Sequence, residues 1–375
     1  MNLSRRRTLS LLSGLFAGGT TFSASAADDP VSAPIGMAGS RVVMDVTIND
    51  GRSYRFAIDT GGAASLIRES VAREAGLSAS GFASVGVFGS NDPRRVYEAD
   101  SVIFGGVIRQ NGARFVAVPG DGLGKDIAGS LASGILTALP SELDFDAFEW
   151  RLWQHSRPVL TGFTALKAAF SDTPSMDWSP LLLADARVNG AGYRFLLDTG
   201  SPSFVRLNHR TARQLGLWSD DRPFAPLYGG RRIVRISSLE FGGSTFERPL
   251  ALLLPDNQVA EISDGLIGLP IMRRFNFFCD RRRDEILVRR NGTGAAPEHY
   301  PLSGLEIGKD GRTVLAVGTG SPAQEAGVRA GDAVLADSGW DFREGMNGKE
   351  GDRVSLRVGR DGGEREVSFV LRGWL

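Results

Sequence analysis

Asp-Thr-Gly occurs twice in this 375-residue chain, 139 residues apart, each time closing an apolar run. The first copy reads Tyr54-Arg55-Phe56-Ala57-Ile58-Asp59-Thr60-Gly61, and the second Tyr193-Arg194-Phe195-Leu196-Leu197-Asp198-Thr199-Gly200. One such tripeptide carries little information, because any acidic turn at the end of a strand can show it. Its surroundings are duplicated as well. An apolar stretch and a turn precede each copy, at 42–51 and 181–190. A helical segment follows each, at 72–77 and 212–217. Further on come the strand-and-turn blocks Ser101-Val102-Ile103-Phe104-Gly105-Gly106 and Ser238-Leu239-Glu240-Phe241-Gly242-Gly243. Finally, residues 129–144 align without a gap with 265–280, Ile135 falling opposite Ile271. Four matched blocks in one order define an internal repeat of roughly 120 residues, too long for a solenoid unit and the size of a domain. The chain is therefore expected to fold as two copies of one unit.

Composition narrows the kind of unit. Apolar content of 42% and charged content of 23% are ordinary for a globular protein, so each copy can bury a core. With 48 glycines and short apolar runs broken by Gly, Asn and Asp, the pattern is of many strands joined by tight turns, a mainly β protein. Lys plus Arg equals Asp plus Glu at 43 each, so no overall field favours nucleic acid or a membrane surface, and no nucleic-acid partner is expected. No His-Glu-x-x-His or Cys/His cluster suggests a metal, and no cofactor is expected. Gly120-Asp121-Gly122-Leu123-Gly124-Lys125 lacks the spacing of a phosphate loop and its following Ser or Thr. The three histidines, His155, His209 and His299, lie in no nucleophile motif. Cys279 is alone, so no intramolecular disulfide forms, and its apolar neighbours read as core.

The two ends differ from the repeats. Arg5-Arg6-Arg7, an apolar but Gly/Ser/Thr-rich stretch at 8–22, and Ala24-Ser25-Ala26 read as a signal peptide over 1–27. Its Ser-Arg-Arg-Arg-Thr-Leu string resembles a twin-arginine signal, with Thr8 in place of the usual apolar residue. The apolar run is too short and polar to cross a bilayer, so the mature chain is expected to be periplasmic or otherwise exported, with no membrane span. At the other end, Gly320-Ser321-Pro322-Ala323-Gln324-Glu325-Ala326-Gly327-Val328-Arg329-Ala330-Gly331-Asp332 opens a short helix and turns into a strand, and a hairpin closes around Asp361-Gly362-Gly363. Residues 300–375 thus resemble a PDZ domain of the bacterial kind. The resemblance implies a partner, a peptide C-terminus, and a carboxylate loop at Gly304, Leu305, Glu306 and Ile307. The helix that should wall the groove falls on 340–348, which is short and contains Gly345 and Gly348. A peptide-binding domain and a packing-only remnant both remain open.

The repeats themselves resemble the retropepsin-like aspartic proteases, in the bacterial form where two units are fused to a PDZ domain. The two Asp-Thr-Gly turns carry the resemblance, with Asp264-Gly265-Leu266-Ile267-Gly268. It implies two homologous β-barrel lobes related by a pseudo-twofold axis, lobe 1 over 34–155, a linker over 156–178 and lobe 2 over 179–291. It implies Asp59 and Asp198 as the catalytic pair, with Thr60, Gly61, Thr199 and Gly200 supporting their turns. Two carboxyls within hydrogen-bonding reach share one proton, so one can activate water while the other protonates the substrate carbonyl. Candidate flaps that cover the cleft are Phe88 and Gly89 in the first copy, and Tyr228 and Gly229 in the second. The function implied is an aspartic endopeptidase acting on protein or peptide substrates. Since one chain carries both aspartates, a monomer suffices. In the first copy, Ala128-Gly129-Ser130-Leu131-Ala132 departs from the supporting motif at Ser130 and Ala132. That departure keeps a second reading open, a non-catalytic binding or scaffold protein on the same fold.

Overall fold

The computed structural model describes residues 9–11, 29–84, 92–120, 122–155, 157–171, 178–256, 262–335 and 348–375. Over these residues the chain is mainly β, and each copy of the repeat forms the same inner arrangement. Arg41–Ile48 pairs antiparallel with Ser53–Ile58, and Leu182–Val188 with Ala191–Asp198, so that each Asp-Thr-Gly caps the second strand of a hairpin. A strand from the last repeat block, Gly129–Leu131 or Gly265–Gly268, then lies parallel to that second strand. The same strand runs antiparallel to the short piece following the turn, Leu66–Arg68 or Val205–Leu207. The glycine pair after each Phe makes the tight turn that returns the chain: Gly242 and Gly243, at φ +57° and +73°, adopt a conformation open mainly to glycine.

In the first lobe, six strands close a barrel: Arg41–Ile48, Ser53–Ile58, Gly129–Leu131, Leu66–Arg68, Ile108–Val118 and Pro93–Phe104. In the second, the long hairpin that closes the circuit is broken at Arg248 and Pro249. It becomes two shorter ladders, Arg231–Arg235 with Leu250–Leu253 and Ser238–Phe241 with Ser244–Glu247. Proline has no amide to give to a ladder, and Arg248 sits at φ +47°, so a continuous strand cannot pass there. The second lobe therefore departs from an uninterrupted barrel.

A six-stranded sheet crosses between the lobes. Ser141–Asp144 of the first pairs with Phe275–Asp280 of the second, Leu143 opposite Phe277 and Ser141 opposite Cys279. Fully buried Asn276 accepts the Phe145 amide at 3.1 Å and donates to Asp144 at 2.9 Å, so the crossing is hydrogen-bonded as well as apolar. One hydrophobic cluster runs through both lobes, from Phe56, Phe104 and Trp150 to Phe195, Phe275 and Phe277. Cys279, within the strand Phe275–Asp280 of this sheet, is fully buried, and burial pushes its thiol pKa far up. The stretch between the lobes is less irregular than its composition suggests. Thr164–Ala165 joins the edge of the shared sheet and Ala168–Phe170 pairs with Leu182–Val188. Edge strands this short leave no readable alternation.

Residues from Leu305 onward pack a separate apolar cluster, with Leu305, Val314, Ala323, Val334, Val354, Leu356 and Phe369. Ser321 caps the helix Pro322–Glu325 by accepting the Gln324 amide at 3.2 Å. Residues 340–347, where a groove-walling helix was expected, lie outside the described residues. The candidate carboxylate loop at 304–307 is a turn that runs into a strand. Leu305–Ile307 pairs with Val314–Val317, with Leu305 drawn into the apolar cluster. The Gly304 amide donates to the Pro301 carbonyl at 3.1 Å and the Leu305 amide to Ser303 Oγ at 3.3 Å.

This unit rests on the second lobe. Thr319 Oγ1 donates to the Asp220 carbonyl at 2.8 Å, and Arg235 meets Glu298 with two bonds of 2.9 and 2.8 Å. The Glu306 carboxyl accepts the Gly229 amide at the tip of the hairpin formed by Ala225–Leu227 and Arg231–Arg235. Lys309 Nζ lies 5.4 Å from the centre of the Tyr228 ring beside it.

Candidate active site

Each aspartate sits where a strand stops. The Asp59 amide donates to the Leu131 carbonyl at 2.8 Å, which holds the first turn against Gly129–Leu131. In the second turn, Leu269 donates to the Ser201 carbonyl at 3.0 Å. The two turns then meet. A Cβ built on Gly61 would lie 2.3 Å from Asp198 Cγ, and one built on Gly200 would lie 2.5 Å from Asp59 Cγ. Each carboxyl is seated directly on the other turn's glycine, and any side chain there would displace it. The carboxyls are hydrogen-bonded to each other. Asp198 Oδ1 also accepts the Gly200 and Ser201 amides at 2.8 and 3.1 Å, and the Gly61 amide donates to Asp59.

Thr60 and Thr199 lock this geometry by exchanging bonds across the lobes. Thr60 Oγ1 donates to the Leu197 carbonyl at 2.8 Å and accepts the Thr199 amide at 3.0 Å. Thr199 Oγ1 donates to the Ile58 carbonyl at 2.7 Å and accepts the Thr60 amide at 3.1 Å. Both threonines are buried, so all four bonds are shielded from water; each contributes about 1 kcal/mol net, and losing one partner costs more than that. The first-lobe support is equally complete despite Ser130 and Ala132. The Ala132 amide donates to Ser65 Oγ at 3.1 Å and the Ser133 amide to the Gly62 carbonyl at 3.0 Å. A Cβ on Gly268 would meet the Ser203 carbonyl at 2.0 Å; the matching first-lobe position holds the buried Ala132, after a turn that is one residue shorter.

The pair is electrostatically unequal. Burial, the charge of Asp198 and the hydrogen bond to it push Asp59 up to about 7, against smaller opposing effects of the Gly61 amide and Arg41. Burial raises Asp198 too, but the positive charge of Arg206, the Gly200 and Ser201 amides and the proton offered by Asp59 all resist. Both carboxyls are therefore pushed toward the protonated form, and the pair holds a proton between them, with Arg206 and the Gly200 and Ser201 amides favouring negative charge on the Asp198 side. Both retain some solvent-accessible surface while being surrounded mostly by protein.

Among the other expected site residues, Phe88 and Gly89 lie outside the described residues. Tyr228 and Gly229 form the tip of the second-lobe hairpin, with Tyr228 57% exposed, and this tip is held by Glu306. Of Gly304, Leu305, Glu306 and Ile307, the strand Leu305–Ile307 packs against that hairpin, Glu306 bonding the Gly229 amide. Two residues near the pair escaped sequence reasoning, Arg41, whose guanidinium binds the Leu123 carbonyl, and Arg206, which in turn has Arg231 in its neighbourhood. For Arg206 a signal existed, because the repeat puts aliphatic Leu66 at the matching position. No group of three or more His, Cys, Asp or Glu suited to a metal occurs among the described residues. A hollow of about 880 Å³ is lined by Lys167, Asp185, Arg194, Glu240, Gly243 and Asp264. Its acids are already paired, Asp185 with Lys167 and Arg194, Asp264 with Arg210 and Glu240 with Arg187, and neither Asp59 nor Asp198 lines it.

Comparison with known proteins agrees with the duplication. The family model described as Aspartyl protease matches twice, at residues 44–137 and 184–271, each match containing one Asp-Thr-Gly. A solved retropepsin-like aspartic protease from Rickettsia conorii shares 21% identity over 36% of this chain and 96% of its own, with a TM-score of 0.26, too low to argue from. A comparison with curated proteins finds no match.

Proposed function

We propose that this protein is an exported aspartic endopeptidase in which Asp59 and Asp198 activate a water between the lobes. The observation that carries the reading is the reciprocal seating of each carboxyl on the opposite Asp-Thr-Gly glycine. In this reading, ionised Asp198 takes a proton from the water as it attacks a peptide carbonyl. Protonated Asp59 donates to the carbonyl oxygen, and a proton then passes to the leaving nitrogen. The Thr60–Thr199 exchange keeps the carboxyls in register, so little reorganisation accompanies the step. The repeated match to the aspartyl protease family supports a protease-type activity with peptide substrates. Export to the periplasm rests on the composition of residues 1–27. Residues 300–375 are proposed as a PDZ-like unit that bears on the second-lobe hairpin. Capture of a peptide terminus at 304–307 would fall to the rest of that segment, because the Gly304 and Leu305 amides already have partners within the unit.

The test is cleavage of an unfolded protein such as casein by purified wild type, Asp59→Asn and Asp198→Asn. Either substitution is expected to lower turnover by about 10²–10⁴-fold, the range for losing one positioned acid or base, with folding unchanged by circular dichroism. Cleavage that survives both substitutions, or a wild type without activity across pH 3–8, would leave the non-catalytic scaffold as the better reading.

A further inference from the structure

The pairing registers expose an asymmetry between the lobes. In a sheet, directly paired residues share a face, as do residues two apart on one strand. In the first lobe, one such row runs Val43, Ala57, Ser130, Leu66, Val116, Val96, and every member is buried. Its counterpart in the second lobe runs Leu183, Leu196, Leu266, Arg206, Leu252, Ile233. The first three leucines are buried, but Arg206, Leu252 and Ile233 are half-exposed. Asp198, two residues beyond Leu196, lies on this same face, and so does Arg231, two before Ile233. An arginine thus replaces the aliphatic Leu66 on the face that bears the catalytic carboxyl, and a second arginine stands beside it on the hairpin.

Among the described residues, no hydrogen bond or ion pair engages Arg206 or Arg231, and Arg231 Nε is buried without an acceptor. Burial lowers the Arg206 pKa, Asp198 is the acid that opposes this, and Arg231 adds like-charge repulsion. Two like charges close enough to repel on a partly exposed face, with the Asp198 carboxyl near Arg206, favour an anion that bridges them. A guanidinium fork accepts a carboxylate in a bidentate manner, and a pair of them along a cleft wall suits one acidic side chain.

We infer that Arg206 and Arg231 form an anion-accepting subsite beside Asp198, which selects substrates with Glu or Asp close to the scissile bond. The inference rests on the proteolytic reading for its consequence but makes a separate statement about binding. Two measurements keep them apart. In the first, a proteome-derived peptide library is digested with wild type, Arg206→Leu and Arg231→Gln, and residues flanking each cut are counted by mass spectrometry. Wild type is expected to enrich Glu and Asp about fivefold at one position within three residues of the cut. Arg206→Leu, which installs the residue found at Leu66, should abolish the enrichment, and the hairpin variant Arg231→Gln should reduce it. In the second, fluorescent Leu-Phe hexapeptides with Glu or Gln scanned through each position are titrated onto Asp59→Asn, which binds without cleaving. One Glu peptide is expected to bind about tenfold tighter than its Gln partner, with the advantage shrinking at high salt and absent from Asp59→Asn/Arg206→Leu. Cutting without acidic enrichment, or enrichment that persists in Arg206→Leu, overturns the subsite and leaves the protease reading intact. Glu-selective binding with no Asp59-dependent cutting upholds the subsite and overturns the protease reading. Equal binding of the Glu and Gln series overturns the subsite, whatever the cleavage result.

Discussion

At Asp59, burial and a neighbouring charge act in the same direction, and the consequence is measurable away from catalysis. The folded state holds a proton that the unfolded chain releases at ordinary carboxylate pH, because Asp59 is pushed up to about 7. A folded state that binds the extra proton loses stability as that proton leaves, so the dyad's contribution falls as pH rises from about 4 to about 7. The urea midpoint of wild type minus that of Asp59→Asn is expected to decline over this window, and a flat difference would show that Asp59 titrates normally. The two Asp-Thr-Gly turns were legible in the sequence because the strand, the turn and the glycine are contiguous. Arg206 was not. Its significance comes from a register two strands away and from Leu66 in the other lobe, neither of which local pattern displays.

The hairpin made by Ala225–Leu227 and Arg231–Arg235 is the element on which the separate parts of the molecule converge. It carries Arg231 toward the face of Asp198, Tyr228 and Gly229 at its tip, and Arg235 out to Glu298. Glu306 grips the tip through the Gly229 amide, and burial raises the pKa of that carboxyl against the pull of this bond. Replacing Glu306 with Ala is therefore expected to speed hydrogen exchange of residues 228–230 several-fold, with the apolar cluster around Leu305 and Val354 still protected. Unchanged exchange at the tip would mean that packing at Gly318 and Pro226, not Glu306, holds the hairpin. The turn chemistry of Tyr228-Gly229-Gly230 identified a hairpin from sequence alone. That a later part of the chain clamps it was illegible, since Glu306 looks like any acid beside a strand.

Over the whole molecule, the two lobes behave as one folded body. Their shared sheet pairs Leu143 with Phe277, and one apolar cluster runs through both. Both carboxyls come from one chain, so specific activity is expected to stay constant on dilution through the concentration range of any dimer seen by size-exclusion chromatography. A loss of activity per mole on dilution would point to a second copy completing the site. Sequence alone determined that a duplicated acidic turn ends a strand in each half, that the halves share one β architecture, and that a different unit follows. It could do so because repeats, strand alternation and turn residues are local signals that survive in one dimension. Which face Arg206 occupies, how the lobes knit their sheets, and where the last unit rests were settled by contacts between residues far apart in the chain. Such contacts depend on register and shape complementarity, and these exist only once the strands are assembled.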